Sequence, residues 1–151
     1  MKDIKDIIAQ EPVYLHNWKS KIDVMSDFEE IQMSESEYNA EKAPYSNVAF
    51  WEERKAIMSK AIKEWEPIHI LFASYGTDNY EGGAFVLFER DGKLFETNGS
   101  HCSCYGLEGQ FTPEETTLES LQHRLIEGKM GMDDYADNEF ATELKLFLGI
   151  N

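Results

Sequence analysis

Cysteine is too scarce in this chain to hold a fold together: there are two, Cys102 and Cys104, one residue apart. A bridge between them would close a strained small ring and neither has another partner, so reduced thiols are expected. Long apolar runs are also missing. The longest, Ile70 to Ala73 and Ala84 to Phe88, are far too short to cross a bilayer. The amino terminus mixes Asp3 and Asp6 with Lys2 and Lys5 and shows no apolar segment of the secretory kind, which leads us to expect a cytosolic protein. Bases are few, 14 against 29 acids, for a formal charge of -15. No phosphate-binding Gly-x(4)-Gly-Lys-Ser/Thr, dinucleotide Gly-x-Gly-x-x-Gly, His-Glu-x-x-His or Gly-x-Ser-x-Gly pattern occurs. Internal repeats and low-complexity tracts are absent as well.

What is present suits one domain spanning 1–151. Apolar residues make up 42% of the chain and aromatics 13%, enough for a continuous core despite the charge. The negative field is uneven, with net charges of -4 over residues 1–64 and -11 over 65–151. It repels phosphate backbones and anionic lipid, so nucleic acid and membrane are excluded as direct partners, and a basic protein surface is favoured. Solubility alone would also account for it.

Periodicity points to an α+β fold. Residues 2–9 form a short helix, and Val13, Tyr14, Leu15 and Trp18 an apolar cluster that docks on the core. From Asp23 to Glu41 there are seven acids and no base. Ser34, Ser36 and Asn39 interrupt any apolar period there, so 23–45 is expected to be an exposed, mobile connection. Ser46 or Asn47 caps a helix over 47–65, whose stripe of Val48, Trp51, Met58, Ile62 and Trp65 faces the core. Strands follow at about 68–75, 84–90 and 93–98, forming a small antiparallel sheet. Within the first, Ile68, Ile70 and Phe72 oppose Leu71, Ala73 and Tyr75. Asp91-Gly92 suits a type I′ turn, which sets Phe88 opposite Phe95 and Val86 opposite Thr97. Thr112-Pro113-Glu114-Glu115 reads as a capping box opening a helix with Leu118, Leu121, Leu125 and Ile126 inward. A last helix over about 138–148 buries Phe140, Leu144, Phe147 and Leu148.

This topology brings the glycine-rich connection 76–83 and the segment 99–109 to one end of the sheet, where sites are commonly built. Two chemistries are conceivable there. His101, Cys102 and Cys104, completed by Asp78, Glu81 or a more distant His16, His69 or His123, offer zinc donors, although the spacing departs from structural zinc motifs. Alternatively Cys102 or Cys104 acts as a nucleophile with His101 or His123 as base and Asp78, Glu81 or Glu108 orienting it.

The stretch Asn98 to Thr117, NGSHCSCYGLEGQFTPEETT, preceded by AFVLFERDGKLFE over 84–96, resembles a family of small phage and prophage proteins. Phe111 stands where that resemblance would place tryptophan. The likeness spans roughly 68–126 and implies an origin, with no catalytic or binding residues to carry across. Small acidic proteins of phage type often block a host machine, in the manner of anti-CRISPR and anti-restriction inhibitors. On that footing the expected function is non-enzymatic binding of a basic host protein, without a cofactor. Its candidate binding residues are Glu108, Glu114, Glu115, Glu119, Asp133, Asp134, Asp137, Glu139 and Glu143. Helical spacing would set Glu115 and Glu119 on one face. A thiol- or zinc-dependent module is the alternative, and the oligomeric state is left open.

Overall fold

The structure, a computed structural model, describes residues 1–78, 81–102, 106–132 and 138–151. Its elements run α1 (Ile4–Ala9), β1 (Val13–His16), α2 (Lys21–Phe28), α3 (Glu35–Asn39), α4 (Val48–Glu64), β2 (His69–Asp78), β3 (Glu81–Arg90), β4 (Lys93–His101), β5 (Glu114–Thr116), α5 (Leu118–Ile126) and α6 (Ala141–Leu148). The fold is α+β around one open sheet of order β1-β2-β3-β4-β5. The three expected strands are present and antiparallel, and each runs further than expected. Two short strands flank them, with β1 parallel to β2 and β5 antiparallel to β4.

The β3–β4 hairpin follows its turn chemistry. Asp91 and Gly92 both have positive φ, 54° and 79°, and the register pairs Phe88 with Phe95 and Val86 with Thr97. The two phenyl rings stack at 5.4 Å.

Both faces of the sheet are covered, which explains the apolar character of its central strands. On one face Ile70, Ala73, Tyr75, Val86 and Phe88 pack against Trp18, α2 and α4. On the other, Leu71, Phe72, Phe85, Leu87 and Leu94 meet α1, α5 and α6. Strict alternation along β2 fails at one point. The register jumps between Ile70 and Phe72, so an extra residue turns Leu71 and Phe72 to the same side and sends Ala73 and Tyr75 to the face of Ile70.

Residues 23–39 do not run as an exposed connection. Ser20 caps α2, which buries Val24, Met25 and Phe28, and Ile31 and Met33 are buried beyond it. Ser34, which seemed to break the period, is the N-cap of a capping box with Glu37 that starts α3. Lys21 ties α2 to the end of α4, its amine donating to the carbonyl oxygen of Trp65 at 2.8 Å and to that of Ile68 at 2.5 Å. Along α4, capped by Asn47 as expected, Trp51, Met58 and Ala61 are buried, but Val48 and Ile57 are exposed.

The capping box at 112–115 is also corrected. Glu114–Thr116 form β5, paired Leu94 with Thr116 and Glu96 with Glu114, and α5 opens one turn later on Thr117, whose hydroxyl accepts from the Ser120 amide at 3.1 Å. A ladder on the open edge of β4 satisfies these backbone groups instead of a helical turn. Leu121 and Leu125 are buried as expected and Ile126 is half exposed. In α6 Leu144, Phe147 and Leu148 are buried, and Phe140 precedes it as N-cap.

Candidate functional site

The first of the two segments expected to be loops is strand wherever it is described: Gly76 pairs with Gly83, Thr77 with Gly82 and Asp78 with Glu81, and 79–80 lie outside the described residues. β4 likewise continues through Gly99, Ser100 and His101, opposite Ala84, Gly83 and Gly82. Both segments nonetheless end at the same end of the sheet, so Asp78, Glu81, His101 and Cys102 share one neighbourhood.

Beyond β5 the edge of β4 has no strand partner among the described residues, and a side chain takes that place. The Gln110 amide accepts from the Ser100 backbone N–H at 2.8 Å and donates to the carbonyl oxygens of Ser100 at 2.6 Å and Gly106 at 2.9 Å. This pairing anchors residues 106–110 against the strand and satisfies backbone groups that would otherwise invite another chain.

Beside it opens a cleft of about 740 Å³. Phe85, Phe140 and Met130 supply its apolar wall, with the two phenyl rings stacked at 4.7 Å. Asn98, Ser100 and Asn138 supply neutral polar groups, and Glu81 and Glu108 carboxylates. Asn138 is only 6% exposed and its side-chain oxygen accepts from the buried Ser74 hydroxyl. Gly131 shapes the same wall: its φ is +72°, its carbonyl oxygen accepts from the amides of Phe140 and Ala141, and a Cβ there would meet the Ala141 nitrogen at 2.7 Å.

His101, which also lines the cleft, belongs to a polar cluster that sequence reasoning missed. His101 crosses Gly82, where a Cβ would fall 2.5 Å from the imidazole, and its ring meets Tyr75 edge-on at 5.8 Å. Tyr75 in turn packs on Trp18, whose indole donates to Asp27 at 2.7 Å. Burial pushes the Asp27 carboxyl above its ordinary range, while the Trp18 hydrogen bond and the charge of His101 act against it. Burial likewise raises Tyr75, helped by Asp27 and Glu108. Asp27 sits in the stretch that read as a connection, and nothing local to it signals a partner nine residues away. With its folded pKa raised, ionised Asp27 disfavours the folded state above the ordinary aspartate range. Asp27→Asn is therefore expected to raise the melting temperature at neutral pH. That gain should vanish as pH falls below the ordinary Asp range, as thermal unfolding between about pH 2.5 and pH 8 would show.

The distant histidines do not join His101 and Cys102. Among the described residues no group of three or more His, Cys, Asp and Glu side chains could hold an ion, and Cys104 lies outside them. His69 sits at the opposite end of β2 and faces Glu89 at 3.5 Å. His16 contacts the Glu139 carbonyl oxygen at 2.7 Å, and His123 is exposed on α5. Among the described residues His101 and Cys102 stay adjacent, with His101 Nδ1 3.0 Å from the Cys102 carbonyl oxygen.

The candidate acids fall in separate places. Glu108 borders the cleft. Glu114 and Glu115 alternate along β5 and Glu119 lies in the first turn of α5, so Glu115 and Glu119 do not share a helix face. Glu139 and Glu143 flank the start of α6, and Asp133, Asp134 and Asp137 lie outside the described residues. Glu81 joins Glu108 at the cleft. Glu96, on the other hand, is 6% exposed and engages Arg124 through both oxygens, one contact at 2.9 Å.

Family models, curated proteins and solved structures give no match to this chain. The functional reading therefore stands on residues and geometry. No helix among the described residues is long and apolar enough to cross a membrane.

Proposed function

We propose that this chain is a non-enzymatic binding protein of phage type that engages, and thereby inhibits, a host protein through a basic surface on that partner. The observation that carries the reading is the pairing of Arg124 with buried Glu96. One of the few bases in the acidic half is engaged by a buried carboxylate, so exposed Glu115, Glu119, Glu139 and Glu143 keep their excess charge facing outward. The likeness of 98–117 to phage proteins supports the setting, and a defence nuclease complex is the kind of host machine such a surface would suit, since its nucleic-acid groove is basic. The test is affinity capture from bacterial lysate at low and high salt. A basic protein retained at ~0.05 M salt and released by ~0.5 M supports the reading, because screening weakens exposed charge pairing. Capture that ignores salt, or none, would remove it.

One observation favours a second reading, a zinc- or thiol-dependent module at His101 and Cys102. With Nδ1 donating to the Cys102 carbonyl, the imidazole lone pair falls on Nε2, the tautomer that metal-bound histidines use, and Nε2 lies over Gly82. Stoichiometric zinc in purified protein would support it, and zinc-free protein with unreactive thiols would count against it.

A further inference from the structure

We infer that the cleft between β4 and the segment preceding α6 is a recognition pocket for an arginine side chain on a polypeptide partner. This deepens the proposed function and rests on it for the identity of the partner class. Two features of the lining select the ligand. First, among the described residues its carboxylates are Glu81 and Glu108, its one basic group is the His101 imidazole, and no lysine or arginine lines it, so an anion is repelled and a cation attracted. Second, the wall joins the apolar surface of Met130 and Phe140 to neutral acceptors on Asn98 and Ser100, which suits a side chain with an aliphatic stem and a planar, donor-rich head. A space of about 740 Å³ lies within the range of pockets that enclose a ligand of this size.

The experiment titrates N-acetyl-arginine-N-methylamide into the full chain and follows backbone amide shifts, with the neutral citrulline counterpart as control. The expected result is saturable shifts at Gly83, Ser100 and Gly131, with citrulline binding at least ~10-fold more weakly, as loss of a charge-assisted pairing implies. Glu81→Gln with Glu108→Gln should produce the same loss, and Ser100→Phe, at an exposed position, should block the pocket without altering charge. Equal binding of the two ligands, or shifts confined to other surfaces, would overturn the inference. A salt-sensitive partner still captured by the Ser100→Phe variant would overturn the pocket and leave the proposed function standing. Loss of all salt-sensitive capture by the parent chain would overturn that reading instead.

Discussion

Arg124→Met is expected to destabilise the protein by ~3 kcal/mol at neutral pH, lowering the melting temperature by roughly 10 °C. The figure sits at the low end for a broken buried pair because the Arg124 side chain is 37% exposed and water partly replaces the lost contacts. Glu96 is the side chain that suffers. Burial alone would raise its carboxyl, but hydrogen bonds from Arg124, Thr116 and Asn98 outweigh burial and hold it below the usual range. A lowered folded pKa stabilises above the ordinary carboxylate range, and that contribution is lost as pH falls through the folded value. The deficit of Arg124→Met should therefore be full at neutral pH and shrink in acid. Adding Glu96→Leu should restore much of the loss, since an apolar residue replaces the stranded charge. Chemical unfolding of the single and double variants across pH measures this. Equal deficits at acidic and neutral pH would show that Arg124 acts through packing alone.

Phe85→Ala should cost more, about 3–5 kcal/mol, by leaving a cavity at the centre of the sheet. Phe85 is 1% exposed, stacks on Phe140 and meets Phe72 edge-on at 6.3 Å. The aromatic group it belongs to joins β2 and β3 to α6, and the same ring forms the apolar wall of the cleft. Phe85→Leu, which keeps most of the volume, should lose about 1–1.5 kcal/mol. Comparable losses from the two substitutions would mean that the packing of this wall is loose and that the cleft has no fixed shape.

The elements legible in the sequence were those whose determinants are local. Asp91 and Gly92 can adopt positive φ side by side, and that alone sets Phe88 against Phe95. The stripe from Trp51 to Trp65 declares α4 through its spacing. Illegible features each depend on a distant partner. Thr112 and Glu115 are sound capping residues, yet the unpaired edge of β4 draws Glu114–Thr116 into a strand, and Thr117 caps the helix instead. Leu71 reverses the sides of β2 by a single inserted residue that no alternation pattern reveals. At the site, register showed that 76–83 and 99–102 converge, because hairpin geometry is arithmetic. Asp27 and Trp18 beside His101, Asn138 on Ser74 and Gln110 along the edge of β4 were hidden, since each is a tertiary contact between polar residues that read as ordinary surface. The helix face expected of Glu115 and Glu119 is lost for the same reason, because Glu115 is drawn into β5 and Glu119 alone lies on α5.

The most direct test of binding through a carboxylate-lined pocket compares two charge-neutralised variants in capture from bacterial lysate. Glu81→Gln with Glu108→Gln removes the charge at the cleft, and Glu41→Gln with Glu52→Gln removes the same charge from exposed positions of the other half of the chain. The first is predicted to lose the salt-sensitive partner and the second to retain it. Retention by the first, or loss by both to the same degree, would contradict the account.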